Sequence, residues 1–261
     1  MSRASRLPSP SAAHATAAVI AAAAPVASRA VAVACAAAIV LAPTMASAAS
    51  AEPCAGGAPG KLLYADDFRA GLAQWVPEYR PTPNAQVAVR DGKLMMNLPG
   101  DATVWFKPEL RGDIQISYKR KMIMAGGPND RLSDLNQFWM ASDPQNTNLF
   151  TRDGTFKQYD ALSLYYVGIG GNTNTTTRFR KYDGKGERVL MGDLTDQAHL
   201  LQANREYVIQ ITVYQGCTRM TVDGQEYFSW RDPAPLRSGH FGFRTTHSHQ
   251  EISDFKVYQL K

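Results

Sequence analysis

Short runs of alternating apolar and polar residues, separated by turn dipeptides, dominate this chain after residue 50. Two pairs of runs flank an Asp-Gly dipeptide, a strong local signal for a β-hairpin: residues 86–90 with 93–98, and 219–222 with 225–228. Further runs occur at residues 114–124, 207–213, 239–246 and 252–260, and residues 194–201 favour a helical turn. This spacing predicts an all-β fold, an antiparallel two-sheet β-sandwich, rather than a parallel sheet with crossover helices.

The first 50 residues have the composition of an export signal. Three arginines are their only charged residues, an apolar stretch follows at 30–42, and a small-x-small cleavage pattern follows at 46–48. The stretch is shorter than the roughly 20 residues that span a bilayer, which favours cleavage over a membrane anchor. We predict a signal peptide at residues 1–50, although the cut could fall after Ala51. One domain at residues 51–261 would then be secreted or periplasmic.

Charge and cysteine content narrow the function classes. The leader holds 3 of the 28 basic residues and none of the 23 acidic ones, so the net charge falls from +5 to +2 (25 basic against 23 acidic) once it is removed. That balance does not favour nucleic acid, which needs a concentrated basic face. Cys54 and Cys217 remain after export and predict one disulfide, with two free buried thiols as the alternative.

Several segments resemble known families. Residues 64–75, 222–224 and 239–257 are similar to segments of concanavalin A-like lectin/glucanase domains. Within that superfamily, residues 127–140 and 165–182 resemble bacterial secreted domains of unknown function associated with pectin and rhamnogalacturonan degradation. The resemblance implies a jelly-roll β-sandwich with an open cleft on one curved sheet. It implies little about chemistry, because the superfamily contains lectins, hydrolases, lyases and adhesion modules.

Strand parity predicts which side chains face that cleft. Residues adjacent to apolar positions in the same strand point the opposite way, and we take Phe138, Met140, Leu164, Phe179, Phe241 and Phe243 as core positions. The predicted cleft set is then Gln137, Trp139, Tyr165, Arg178, Arg180, Tyr182 and Arg244, with His247 just beyond. Aromatic rings stack on sugars, while amides and guanidinium groups bind hydroxyls and carboxylates. A polar sheet face without function is the alternative.

Two loops add candidate residues. Residues 168–177 lack the Gly-Lys-Ser/Thr ending of a phosphate loop and predict a tight turn between strands. Asn172 and Asn174 either cap that turn or bind a ligand. Arg131, between two aspartates, either pins its loop through ion pairs or lies in the cleft.

Metal ligands are sparse in the sequence. His247 and His249 lack a clear third ligand, so we predict no zinc site. The fold resemblance leaves open a structural calcium ion at Asp66 or Asp254, and no other cofactor is predicted.

Three functions would use the predicted cleft differently. A polysaccharide lyase needs a group that neutralises the carboxylate, a base and an acid. Arg178, Arg180 or Arg244, together with Gln137, would take the first role, and Tyr165 or His247 would be the base and the acid. This set resembles the Arg, Gln, His and Tyr constellation of jelly-roll alginate lyases, although Trp139 replaces the histidine of their Gln-x-His triplet. A glycoside hydrolase needs two carboxylates, and the strand-borne acidic triplet of sandwich glucanases has no counterpart in this sequence.

A non-catalytic sugar-binding module needs only the aromatic, amide and arginine side chains. The arginines without an obvious acidic neighbour favour an acidic glycan. We therefore predict a monomer that acts on an acidic plant-type polysaccharide, with a lyase ranked first, a binding module as the alternative and a hydrolase after both.

Overall fold

The computed structural model describes residues 54–261, and the predicted signal peptide lies outside these residues. Three short helical turns occur in the described part, at Phe156–Tyr159, Gly171–Asn174 and Gln197–His199. The strands are β1 (Pro59–Asp66), β2 (Trp75–Tyr79), β3 (Gln86–Arg90), β4 (Lys93–Phe106), β5 (Leu110–Arg111), β6 (Ile114–Met122), β7 (Leu135–Ser142), β8 (Ser163–Gly170), β9 (Thr176–Asp183), β10 (Arg188–Leu194), β11 (Glu206–Tyr214), β12 (Cys217–Val222), β13 (Gln225–Arg231) and β14 (Ser238–Leu260).

The strands pack as two antiparallel layers joined through β14. The layer that we call the front sheet has the order β2–β4–β14–β7–β8–β9–β10, and the back sheet has the order β1–β14–β6–β11–β12–β13. The antiparallel sandwich predicted from residue alternation is therefore confirmed. Both Asp-Gly dipeptides form their hairpin turns, between β3 and β4 and between β12 and β13.

The main core lies between the two sheets and is rich in aromatic side chains. Trp75 stacks on Phe243 with 5.2 Å between ring centroids, and Phe255 contacts both Trp75 and Phe106. The Asp66 carboxylate accepts a 2.9 Å hydrogen bond from Trp75 Nε1, which satisfies the indole N–H inside the core.

A second apolar cluster lies on the outer face of the front sheet. Residues 143–162 form a long loop, here called the covering loop, that folds over this face. The cluster forms between the loop and the sheet, with Leu149, Tyr159 and Leu162 from the loop and Trp105, Phe138, Ala141, Leu164 and Tyr182 from the strands or their ends. Strands β7 and β8 are consequently buried on both sides where the loop crosses them.

The buried Glu78 side chain of β2 anchors the covering loop to the sheet. Its Oε2 accepts 2.7 Å bonds from Trp105 Nε1 and from the Tyr159 hydroxyl, and its Oε1 accepts a 2.8 Å bond from the backbone N–H of Arg152. Hydrogen bonds to a charged acceptor are stronger than neutral ones, and here one carboxylate satisfies three donors.

The prediction that Gln137, Trp139 and Tyr165 face the cleft is wrong. All three point into the main core, and Phe138 and Leu164 face the covering loop instead. The parity was misassigned because both faces of β7 and β8 are apolar. A bulge between Trp139 and Ser142 also returns Met140, at φ 51°, to the main core.

The buried polar atoms of these three side chains have partners inside the protein. Trp139 Nε1 donates to Thr218 Oγ1 at 2.9 Å, and its ring stacks on Phe179. Gln137 Nε2 donates to the carbonyl of Val167 at 2.7 Å. The Tyr165 hydroxyl donates to Asp232 and accepts a 3.0 Å bond from the backbone N–H of Leu236.

Cys54 and Cys217 form the predicted disulfide, with 5.7 Å between their Cα atoms. The bond ties the segment before β1 to the start of β12 and closes a loop of 163 residues. None of the helices within residues 54–261 is long and apolar enough to cross a membrane.

Trp139→Ala should lower the free energy of unfolding by about 3–5 kcal/mol, because it removes a fully buried indole from a packed core. Urea denaturation followed by circular dichroism measures this loss. Trp230→Ala is the matched control, since Trp230 is only partly buried at the edge of the same core. A loss for Trp139→Ala no larger than that of the control would contradict the core placement.

Glu78→Gln should loosen the covering loop, because an amide nitrogen replaces one acceptor oxygen and faces donors. We expect a loss of about 1–3 kcal/mol in stability and faster proteolytic cleavage within residues 143–162. Glu226→Gln is the control, as this exposed carboxylate pairs with Arg219 at the surface of the back sheet. Equal cleavage rates for both variants would show that Glu78 does not hold the loop.

Candidate functional site

The part of the front sheet beside the covering loop carries a polar pocket of about 180 Å³, here called the β8–β9 pocket. Alternate residues of three adjacent strands form its floor: Asn136 of β7, Tyr166 and Gly168 of β8, and Arg178, Arg180 and Tyr182 of β9. Its walls are Phe156 of the covering loop, Arg188 of β10, Asn172 of the β8–β9 turn, and Thr246 of β14 with Asp134.

Three arginines give the β8–β9 pocket a positive charge. Arg178 Nε donates to Asp193 at 2.9 Å, and Arg188 Nε lies 3.7 Å from Asp160. Arg180 differs from both: no carboxylate of the described residues lies within 4.0 Å of its guanidinium group, and its Nη1 donates to a backbone carbonyl at 3.4 Å.

The carboxylate that lines the pocket does not neutralise Arg180. Asp134 Oδ2 accepts a 2.7 Å bond from Arg131 and a 3.2 Å bond from Ser133. Its charge is therefore paired before any ligand enters. Arg180 is left as the cation with the greatest freedom to bind an added anion.

Asn136 and Tyr166 place unused polar atoms at the pocket floor. Asn136 is 2% exposed, and its Oδ1 has no hydrogen-bond partner among the described residues. A Cβ atom at Gly168 would lie 2.1 Å from the Tyr166 hydroxyl and 2.6 Å from Asn136 Oδ1, so only glycine lets both oxygen atoms lie against the backbone of β8 at this position. A buried oxygen without a partner is costly, which makes this acceptor suited to a ligand hydroxyl.

Burial raises the pKa of Tyr166 above its usual value, and the neighbouring Tyr182 and Asp134 raise it further. The hydroxyl therefore stays protonated through the neutral range and can donate a hydrogen bond. A donor beside a free acceptor matches the donor and acceptor capacity of a sugar hydroxyl pair.

Arg244 points to the front face, opposite the core residues Phe241 and Phe243, as parity predicted, but it does not reach the pocket. It is fully buried beneath the covering loop. Its Nη1 donates to the carbonyl of Gly154 at 2.7 Å, and its guanidinium group lies 4.9 Å from the Tyr159 ring centroid. It supports the covering loop.

The remaining predicted site residues divide between the pocket and structural contacts. Asn172 lines the pocket, while the Asn174 amide makes two hydrogen bonds to the backbone of Leu201. Arg131 donates to the carbonyls of Thr246 and His247 and pairs with Asp134. Of its two predicted roles, these contacts match the one in which it holds its loop in place. His247 lies outside the pocket, with Nε2 3.4 Å from the carbonyl of Pro128.

The two candidate calcium ligands have protein partners. Asp66 accepts bonds from Trp75 and Gln74, and Asp254 pairs with Lys256. Within residues 54–261, no group of three or more His, Cys, Asp or Glu side chains is arranged to hold a metal ion.

Sequence reasoning missed Asn136, Tyr166 and Arg188. Asn136 and Tyr166 lie one residue away from the predicted Gln137 and Tyr165, so the opposite parity of β7 and β8 would have found them. Arg188 lies on the edge strand β10, where the sequence offers no alternation.

Solved structures place this fold among galectin-like and concanavalin A-like sandwiches, which confirms the predicted jelly-roll class. A Bacillus subtilis protein of unknown function with a galectin-like fold is 19% identical, with a TM-score of 0.64, over 78% of this chain and 98% of that one. The endo-β-1,3-glucanase from Pyrococcus furiosus is 11% identical, with a TM-score of 0.54, over 77% and 95% of the two chains. The Emp47p carbohydrate recognition domain is 14% identical, with a TM-score of 0.52, over 77% and 98%.

Sequence comparison identifies a family as well as a fold. No curated protein matches this chain. A family model described as a domain of unknown function, DUF6250, matches residues 96–255, which include the whole floor of the β8–β9 pocket. The chain therefore belongs to the DUF6250 family.

Proposed function

We propose that this protein binds a saccharide in the β8–β9 pocket and that the bound sugar unit carries a carboxylate. The observation that carries the proposal is the uncompensated Arg180 guanidinium beside the partnerless Asn136 Oδ1. A uronic acid offers a carboxylate for the first group and a hydroxyl for the second.

The residues around the pocket suggest how such a sugar would bind. Arg180 would hold the carboxylate through its planar fork, with Arg178 and Arg188 adding positive charge at its two sides. Asn136 and Tyr166 would accept from and donate to ring hydroxyls. The Phe156 ring forms an apolar wall against which the carbon–hydrogen face of a sugar could pack.

The comparisons support the saccharide class at the level of fold. Two of the solved neighbours are a glucanase and a carbohydrate recognition domain, and each covers 77% of this chain. At 11–14% identity, these neighbours do not indicate which residues of this chain bind a sugar. The preference for an acidic sugar rests on the arginines of the pocket alone.

The placement of the predicted catalytic residues favours binding over cleavage. A lyase would need a base and an acid beside the sugar carboxylate, but the Tyr165 hydroxyl lies in the main core and His247 lies outside the pocket. Tyr166 is a donor rather than a base, because burial raises its pKa. A hydrolase would need two carboxylates, whereas within residues 54–261 Asp134 is the one carboxylate that lines the pocket.

We also propose that residues 1–50 direct export, so that the protein meets its ligand outside the cytoplasm as a monomer. The Cys54–Cys217 disulfide supports this location, since such bonds persist in oxidising compartments.

Arg180→Ala should weaken binding of a galacturonate oligosaccharide about fivefold to tenfold, which corresponds to about 1–1.4 kcal/mol. Isothermal titration calorimetry measures the dissociation constant, and rising salt should weaken wild-type binding because exposed charges are screened. Arg205→Ala is the control, as this arginine pairs with Asp223 away from the pocket. The ultraviolet absorbance of unsaturated uronate ends would report any lyase activity.

Two results would count against the proposal. One is equal affinity for a neutral glucan. The other is binding of the acidic oligosaccharide that changes neither with salt nor with Arg180→Ala.

A further inference from the structure

Two more cavities lie beside the β8–β9 pocket. The central cavity, of about 400 Å³, is lined by residues 98–101 of β4 together with Arg80, Thr82, Ala85, Asp153 and Thr155. The amide cavity, of about 370 Å³, is lined by Pro83, Asn84, Ala85, Gln86, Asn97, Pro128 and Asn129. Ala85 belongs to both, so the two cavities adjoin.

Asp101 connects the central cavity to the β8–β9 pocket. Thr246 lines the pocket, and its hydroxyl donates to Asp101 Oδ1 at 2.6 Å. Phe156 also lines the pocket, and its backbone N–H donates to Asp101 Oδ2 at 2.8 Å. Asp101 itself lines the central cavity. The three cavities therefore follow one another across the sheet.

Strand spacing gives the length of this cleft. Three strand spacings separate β8 from β4, through β7 and β14, and β3 lies one strand further. At about 4.8 Å for each spacing, the cleft extends roughly 14–19 Å along the sheet. That length accommodates several consecutive sugar units rather than one.

Charge changes from one end of the cleft to the other. The β8–β9 pocket contains Arg180, which has no carboxylate partner among the described residues, whereas the charges that line the central cavity are paired, Arg80 with Asp153 at 3.0 Å and Asp101 with Arg244 at 3.4 Å. Among the residues that the structure describes, no charged side chain lines the amide cavity, where Asn129 Nδ2 donates to Asn97 Oδ1 at 2.8 Å. Amides donate to and accept from hydroxyls but cannot neutralise a carboxylate.

We propose that the cleft binds an oligosaccharide of mixed charge, with a uronate unit in the β8–β9 pocket and neutral sugar units in the amide cavity. This inference rests on the proposed function and specifies its ligand class as a heteropolymer that contains both acidic and neutral sugars. A polymer of uronate alone would place further carboxylates beside the amides of the amide cavity, which carry no charge to compensate them.

The test compares three oligosaccharides of equal length by calorimetry: a uronate homopolymer, a neutral polymer, and one that alternates uronate with neutral units. The alternating oligosaccharide should bind most tightly. Gln86→Ala, at the far end, should weaken its binding about threefold to tenfold while leaving the affinity for a uronate monosaccharide unchanged. Arg180→Ala should weaken both.

Asn97→Asp offers a matched change of charge without a change of shape, because the carboxylate keeps the oxygen that accepts from Asn129. It should weaken the affinity for the homopolymer at least threefold more than the affinity for the alternating oligosaccharide.

If Gln86→Ala and Asn97→Asp change no affinity while Arg180→Ala does, the mixed-charge cleft is wrong and the proposed uronate pocket stands. If no uronate ligand binds, or Arg180→Ala has no effect, the proposed function fails and the inference fails with it.

Discussion

The fold depends on one long strand, β14, whose backbone N–H and C=O groups form hydrogen bonds with strands of both sheets. Its first part pairs with β7 and β4, and its last part pairs with β6 and β1. A bulge at His247, with φ 41°, shifts the register between Thr246 and Ser248. Residues before the bulge present Arg244 and Thr246 to the front face, and residues after it present Ser248 and Gln250 to the interior.

Two buried arginines lie on opposite faces of β7 and β14 near this bend: Arg244 on the front face and Arg120, from β6, on the core face. Arg120 lies in the core, where its Nε donates to Gln250 Oε1 at 2.7 Å and its Nη atoms donate to the carbonyls of Asn136 and Arg244. Burial lowers the pKa of Arg120 to about 10, so the group is still charged at neutral pH. Its hydrogen-bond acceptors are neutral oxygens, and its charge therefore adds to the positive potential behind the pocket floor.

The sequence predicts this fold better than its site, for a physical reason that differs between strands. On β9, Phe179 packs into the main core and the arginines on both sides line the pocket, so parity identified them correctly. On β7 the covering loop buries the second face, and Phe138 is as apolar as Trp139. The alternation of apolar and polar residues does not indicate which way a side chain points where both faces of a strand exclude water.

Long-range contacts of the covering loop could not be predicted from local pattern either. Glu78 and Tyr159 are 81 residues apart, yet one hydrogen bond between them helps to hold the loop in place. Such a pairing leaves no periodic trace in the sequence. The boundary between the covered and open halves of the front sheet, which defines the pocket, is set by these contacts.

The open half is arranged in advance for an anion. Arg178 and Arg180 are two residues apart on β9, which places their Cα atoms about 7 Å from each other on the same face. Asp193 fixes the Arg178 guanidinium group, while Asp160 lies near that of Arg188. Arg180 lies beside these two pairs and has no carboxylate partner among the described residues. A bound carboxylate would compensate the Arg180 charge and form charged hydrogen bonds with a side chain held at the pocket floor. A neutral sugar would form only uncharged-acceptor hydrogen bonds there, which are weaker.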